Sequence, residues 1–225
     1  MKTKARKIAI AGATGMVGQA FLRLLEENFF QDAEIILLAS KKSKGKKVKF
    51  RKKEYIIEDL SEYDFTGTDL ALFSAGASVS AEFAPKAVSQ GCVVVDNSSC
   101  FRYEKDIPLI VPEVNGKVVL DYQLPGIIAN PNCSTIQMLV ALKPIHDAFN
   151  IQRIDVTTLQ AVSGTGKEAT EELLSQLDSY HGSTEQKSDI YAKQIANNVL
   201  PHCDIFEDNR YCLLYTSDAA DDVRC

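Results

Sequence analysis

Through the first half of the chain, apolar and polar positions change period in blocks. "KIAIAGA" is a short apolar run that turns to glycine, the pattern of a buried strand. Behind it, "MVGQAFLRLLEEN" spaces its apolar residues three and four apart, which predicts an amphipathic helix. The two periods then recur: "AEIILLAS" and "DLALFSAG" read as strands, "SAEFAPKAVSQG" as a helix despite Pro85, and "CVVVDNSS" as a further strand. Strand and helix in alternation predict a parallel sheet with helices on its faces, so the fold class is α/β. Farther on, "STIQMLVALKPIHDAF" has helical spacing, with Ile136, Leu139, Val140 and Pro144 on its packing side and Ser134 or Thr135 as its cap. "IQRIDVTTLQAVSG" predicts a longer strand with one face toward solvent or a partner, and "KEATEELLSQLDSY" a helix with an acidic first turn. A change of domain is expected near residue 133, and no internal repeat is visible.

At 225 residues the chain has the length of one large or two modest domains. No apolar run approaches membrane-spanning length, and the N-terminus turns to glycine before a signal-peptide core forms, so a cytoplasmic protein without a membrane partner is expected. Six cysteines without paired metal-type spacing suggest reduced thiols and no zinc. The net charge of −5 hides an asymmetry, because nine of the thirteen residues in "KKSKGKKVKFRKK" are Lys or Arg and the remainder of the chain is correspondingly acidic. A nucleic-acid surface would draw basic residues from several segments with aromatics among them; here only Phe50 interrupts one run, so no nucleic-acid partner is expected and the run reads mostly as a solvated loop.

Two stretches carry candidate chemistry. In "NPNCST" a cysteine stands just ahead of a predicted helix, where unpaired backbone N–H groups and the helix dipole favour an anion. Cys133 is therefore a candidate nucleophile, whereas Cys92 in "GCVVVD" reads as a small core residue. In "GATGMVG", Gly12, Gly15 and Gly18 follow a strand and open a helix, which permits a tight turn and a close approach of backbone to a pyrophosphate. The spacing departs from the commoner G-x-G-x-x-G, and a purely structural turn is the alternative. The second strand ends in "LASKKSKG", where Ser40, Lys41, Lys42 and Ser43 offer donors and positive charge without a carboxylate. That pattern favours NADP over NAD, the alternative being lysines that simply face water.

Taken together, "GATGMVG", "ALFSAGAS", "VVVDNSSCFR", "VPEVN", "NPNCSTIQM" and "QAVSGTG" resemble, in order and spacing, the aspartate-β-semialdehyde dehydrogenases, over residues 6 to 211. "PNCST" with "QAVSG" is the specific part, since related acyl-phosphate reductases surround their cysteine with other residues. The resemblance implies a Rossmann-like, parallel-sheet NADP-binding domain over 1–133, followed by the beginning of an α+β substrate and dimerisation domain over 134–211. It implies reversible NADPH-dependent reduction of L-aspartyl-4-phosphate to L-aspartate-4-semialdehyde and phosphate, a step toward lysine, threonine and methionine. In that reading Cys133 is the catalytic nucleophile and forms a thioester. Backbone N–H groups near Asn132 and Cys133 serve as oxyanion donors. Gln160 positions the substrate and Arg102 binds its phosphate. Thr14, Gly15, Met16 and Val17 with Gly12, Lys42 with Ser43, and Ser163 with Gly164 contact the cofactor. The residues alone leave Arg102 open to a surface salt bridge and Gln160 to a structural amide. A homodimer is implied for the intact protein.

The pattern also breaks. The family's histidine base and a second substrate arginine lie downstream of any matching position, and His146, His181 and His202 do not occupy that context. After Tyr211 the chain reads "CLLYTSDAADDVRC", residues 212–225, without a periodic apolar face and resembling translated adapter sequence. The chain as written is therefore expected to bind NADP weakly or not at all, if its missing part is needed to close the cofactor cleft, and not to turn over. The competing reading is an NADP-binding fragment or a catalytically dead homologue, and a nearer one is another acyl-phosphate reductase.

Overall fold

A computed structural model describes residues 7–27, 30–179 and 188–201. These residues fall in two compact units, one reaching Ile154 and the other starting at Asp155. In the first unit β1 (Lys7–Ala11), β2 (Glu34–Ala39), β3 (Lys47–Phe50), β4 (Lys53–Asp59), β5 (Leu70–Phe73), β6 (Val93–Asp96) and β7 (Ile127–Ala129) form one sheet in the order β3-β4-β2-β1-β5-β6-β7. All neighbours are parallel except β3, which pairs antiparallel with β4 at the edge. Four helices belong to this unit: α1 (Met16–Glu27), α2 (Ala77–Ser89), α3 (Pro112–Asn115) and α4 (Cys133–Phe149).

The central strands read as apolar runs because both faces are covered. Ile8, Ile10, Leu37 and Ile57 pack with Leu22 and Leu25 of α1 on one side, while Ala9, Leu38, Phe73 and Val94 pack with Ala84 and Ala87 of α2 on the other. The α/β expectation is met, and strand order reverses direction at β1, with β2 on one flank and β5 on the other. At such a switch point the loops leaving the two strand ends part and open a crevice where ligands bind.

Three expectations are corrected. The basic run is not one solvated loop: it holds the edge strand β3 and a tight turn into β4. Val48 and Phe50 point one way along β3, with Phe50 buried, while Lys47 and Lys49 stay exposed, an arrangement that keeps a sheet edge from pairing with other chains. The predicted long strand over 151–164 does not form, and residues 151–161 are irregular, with Val156 and Leu159 exposed. Apolar alternation makes a strand only when a neighbour takes its backbone hydrogen bonds, and no described strand pairs with this segment. On α4 only Thr135 is buried; Ile136 and Leu139 are half-buried, and Val140 and Pro144 are exposed, because nothing among the described residues covers that face.

The second unit contains α5 (Lys167–Ser179), which begins and ends as the sequence pattern predicts among the described residues. Its buried Gln176 accepts the backbone N–H groups of Ile195 and Ala196, and Glu172 accepts those of Asp189 and Ile190, so two polar side chains of one helix order the segment 189–196. His181, His202 and the tail 212–225 lie outside the described residues. Among those described, no helix is long and apolar enough to cross a membrane.

Candidate active site

The chain leaves β1 through Gly12, whose φ of +89° belongs to the left-handed region. A Cβ there would lie 2.9 Å from the carbonyl carbon and oxygen of Ser74 at the end of β5, so the two parting loops touch through a position only glycine fills. Gly15 N–H donates to Gly12 O, closing the turn, and α1 starts at the next residue. Thr14, Met16 and Val17 are exposed beside it. This cradle opens a pocket of about 560 Å³, lined by Gly12, Thr14 and Gly15, by Ser40 and Lys41 after β2, and by Asp59, Leu60 and Ser61 after β4. The volume suits a ligand of nucleotide size. Ser40 and Lys41 thus reach the pocket, whereas Lys42 is exposed and Ser43 buried in the same short 3₁₀ turn, Lys41–Ser43.

Asp59 and Ser61 were invisible to the sequence reading, because β4 was not foreseen. Asp59 Oδ1 accepts both the Ser61 N–H, at 3.0 Å, and the Ser61 hydroxyl, at 2.7 Å. Those hydrogen bonds hold its carboxyl below the ordinary carboxylate value, assisted by Lys44 and Lys41. Its other oxygen, Oδ2, is buried with no hydrogen-bond partner among the described residues.

The second centre lies at the ends of β6 and β7. Asp96, fully buried at the end of β6, accepts the hydroxyls of Ser80 on α2 and Ser98, each at 2.6 Å, and Ser98 Oγ in turn accepts the Cys100 N–H. This fixes the loop that carries Arg102. The half-buried Arg102 guanidinium donates from Nε to Asn130 O at 3.0 Å and from Nη2 to Asn97 O at 3.2 Å, while Asn130 Nδ2 donates to Asn97 Oδ1 at 2.9 Å. Arg102 is thereby tied to the segment that leads into Cys133. Asn97 and Asn130 were also missed by the sequence reading; the one signal was an asparagine directly after each strand, a residue that favours turns.

Cys133 is the first residue of α4 and is exposed. The cap is Asn132, not Ser134 or Thr135: its Oδ1 accepts the Ser134 N–H at 2.9 Å, and the Cys133 thiol makes a weak contact to the same oxygen at 3.8 Å. Asn132 prevails because its extended backbone already precedes the helix, whereas Ser134 and Thr135 lie inside the first turn. Cys92 is a core residue as expected, fully buried beneath α2, and burial pushes its thiol up to about 12. Burial also raises the Cys100 thiol, helped by Asp96 and Glu104. In the second unit Gln160 is exposed and donates to Thr158 Oγ1 at 3.1 Å, and Ser163 and Gly164 stand in the 3₁₀ turn Val162–Gly164. Among the described residues no group of His, Cys, Asp and Glu could hold a metal ion.

The glycine cradle and the helix-borne cysteine together narrow the family, and comparison with known proteins agrees. A family model described as semialdehyde dehydrogenase, NAD binding domain, matches residues 7–122, and one described as semialdehyde dehydrogenase, dimerisation domain, matches 142–216. The aspartate-semialdehyde dehydrogenase of Legionella pneumophila is 57% identical over 204 residues, 91% of this chain and 59% of the relative. A crystal structure of aspartate semialdehyde dehydrogenase II from Vibrio cholerae, complexed with ASA, superposes with a TM-score of 0.90 at 46% identity over 94% of this chain and 63% of the other. The Candida albicans aspartate semialdehyde dehydrogenase, solved with NADP, superposes at 0.58 with 33% identity over 71% of this chain and 52% of its own. The chain spans about three-fifths of the length of these first relatives. By its matched sequence segments and by its fold, the chain belongs to the semialdehyde dehydrogenase family.

Proposed function

We propose that the chain supplies the dinucleotide cradle and the nucleophile of an NADP-dependent aspartate-semialdehyde dehydrogenase. The observation that carries the reading is Cys133, exposed at the first position of a 17-residue helix, on a segment anchored by Arg102. The thiolate attacks the acyl carbon of L-aspartyl-4-phosphate, forms a thioester, and releases phosphate. A dinucleotide held at the glycine cradle would supply the hydride for reduction of that thioester, which releases the semialdehyde and returns Cys133 as the thiolate. Arg102, a planar donor of fixed orientation, is assigned to the phosphate, and Gln160 to positioning the substrate. Backbone N–H groups of the first turn of α4 receive the oxyanion.

Ser40 and Lys41 in the pocket support NADP, as does the NADP in the Candida relative. By the family resemblance, Gly12, Thr14, Gly15, Met16 and Val17 are assigned to the cofactor's pyrophosphate and Lys42 with Ser43 to its 2′-phosphate, and Ser163 with Gly164 are assigned as further cofactor contacts. The matched segments support a dinucleotide domain over 1–133, the beginning of a substrate and dimerisation domain over 134–211, and a homodimer for the complete enzyme. The 225-residue chain alone is read as inactive, since none of its three histidines stands in the context of the family's base.

A chimera tests this: residues 1–211 of this chain joined to the remaining length of the Legionella relative. It should form NADPH from aspartate semialdehyde only when phosphate is present, and Cys133→Ser should abolish that. A folded chimera indifferent to phosphate or to Cys133→Ser would sink the reading, and turnover by the 225-residue chain alone would sink the claim of inactivity.

A further inference from the structure

Asp59 has a role that neither the glycine cradle nor the cysteine centre uses. It is 3% exposed, it lines the nucleotide pocket, and its Oδ2 accepts no hydrogen bond from any described residue. A buried acceptor left unpaired costs free energy, and a native fold keeps one where a water, an ion or a ligand supplies the missing donor; at a pocket of nucleotide size a ligand is the candidate.

The sheet indicates which part of a ligand arrives there. The pocket has one wall on the β5 side, from Ser74 and Ala75 after β5 and Val79 and Phe83 of α2, and from there crosses three strand ends in order: the glycine turn after β1, then Ser40 and Lys41 after β2, then Asp59 after β4, whose Cα registers with Ala39. Half of a dinucleotide has three parts in the same order, pyrophosphate, ribose and base. With the pyrophosphate at the glycine turn, the 2′-substituted ribose falls at Ser40 and Lys41, and the base falls at β4. Accepting the nucleotide reading above, we infer that Asp59 Oδ2 takes a hydrogen bond from the exocyclic amino group of adenine, so that the chain selects a 6-amino purine over a 6-oxo purine.

The carboxylate is oriented for this. Ser61 occupies Oδ1 with two hydrogen bonds, which leaves Oδ2 as the end available to a ligand. Oδ2 is buried at this pocket, and the exposed Lys41, which lines the same pocket, is close enough to favour the ionised Asp59. Adenine presents a donor at its 6-position, whereas hypoxanthine presents an acceptor that a carboxylate repels.

Titrating the 225-residue chain with adenosine 2′,5′-bisphosphate and with inosine 2′,5′-bisphosphate tests the inference, because both probes occupy only the part of the pocket described here. The wild type should prefer the adenosine form by roughly tenfold, as expected for one hydrogen bond to a charged group. Asp59→Asn should reverse the preference: Ser61 still requires an acceptor at Oδ1, so the amide NH₂ takes the place of Oδ2 and donates to the 6-oxo group. Equal affinities in the wild type, or an Asp59→Asn variant that weakens both probes alike, would overturn the role of Asp59 while leaving the nucleotide site standing. Failure of both the wild-type chain and the chimera described above to bind either probe at millimolar concentration would overturn the nucleotide reading with it.

Discussion

Gly18→Ala is the substitution for which two arguments predict opposite signs. Gly18 lies in the first turn of α1, and by helix propensity alone alanine would stabilise it, by up to about 1 kcal/mol. The structure predicts the reverse. A Cβ at residue 18 would stand 2.3 Å from Gly12 O and 2.8 Å from Ala13 Cα, inside the 3.0 Å that Cβ atoms do not cross. Both neighbours are backbone atoms of the cradle, and Gly12 O already accepts the Gly15 N–H, so neither can rotate away as a side chain would. Overpacking of this kind typically costs about 1–3 kcal/mol, and the rigidity of the turn places Gly18→Ala at the upper end. The net expectation is a loss of about 2 kcal/mol, which at a urea slope of about 2 kcal/mol/M lowers the midpoint by about 1 M. Urea unfolding followed by circular dichroism reads it directly. A midpoint that stays or rises would refute the close approach of α1 to the glycine turn, and with it the geometry on which the pyrophosphate reading rests.

The cysteines and the cap give the remaining predictions. Alkylation with limiting iodoacetamide, mapped by mass spectrometry, should label Cys133 first among the described thiols and Cys92 only after unfolding; early labelling of Cys92 would contradict its burial. Because Cys92 is harder to ionise when folded, its contribution to stability is full below the ordinary thiol value of 9.0 and is lost as pH rises toward about 12. Over that window stability should fall by up to about 1.4 kcal/mol per pH unit from this group, and Cys92→Ala should show a shallower alkaline decline than the wild type. Asn132→Ala removes the acceptor of the Ser134 N–H and should destabilise α4 by about 1 kcal/mol; an unchanged unfolding midpoint would show that the cap is dispensable.

Where an element draws its stability from its own residues, the sequence pattern sufficed to find it. β1, β2, β5 and β6 are unbroken apolar runs, and α1 and α2 carry their stripes openly. The edge hairpin was hidden for a physical reason. Its turn, Arg51 and Lys52, takes positive φ values of 47° and 60° without glycine or asparagine, the residues that announce such turns. What holds it is tertiary: the Arg51 guanidinium donates to the carbonyls of Leu25, Phe30 and Gln31, and the ring of Phe50 lies beneath it at 4.8 Å. No local window contains those partners. The irregular segment 151–161 is the converse case, with a legible strand pattern and no neighbour to pair with.

The same division runs through the site. Gly12, Gly15 and Cys133 act through their own backbone positions, at a turn and at a helix start, and such positions are written in short motifs. Arg102 and Asp59 act through what surrounds them. Arg102 could be named by resemblance, yet its orientation depends on the carbonyls of Asn97 and Asn130, which β6 and β7 bring together from 33 residues apart. Asp59 brings a carboxylate to a pocket where the end of β2 offers none, on a strand, Lys53–Asp59, that the sequence pattern did not announce. A buried carboxylate one strand beyond the lysines does not reverse the preference for a 2′-phosphate. In the proposed NADP reading it separates two tasks, with positive charge assigned to the phosphorylated ribose and an acceptor to the base, at two strand ends that only the sheet order makes neighbours.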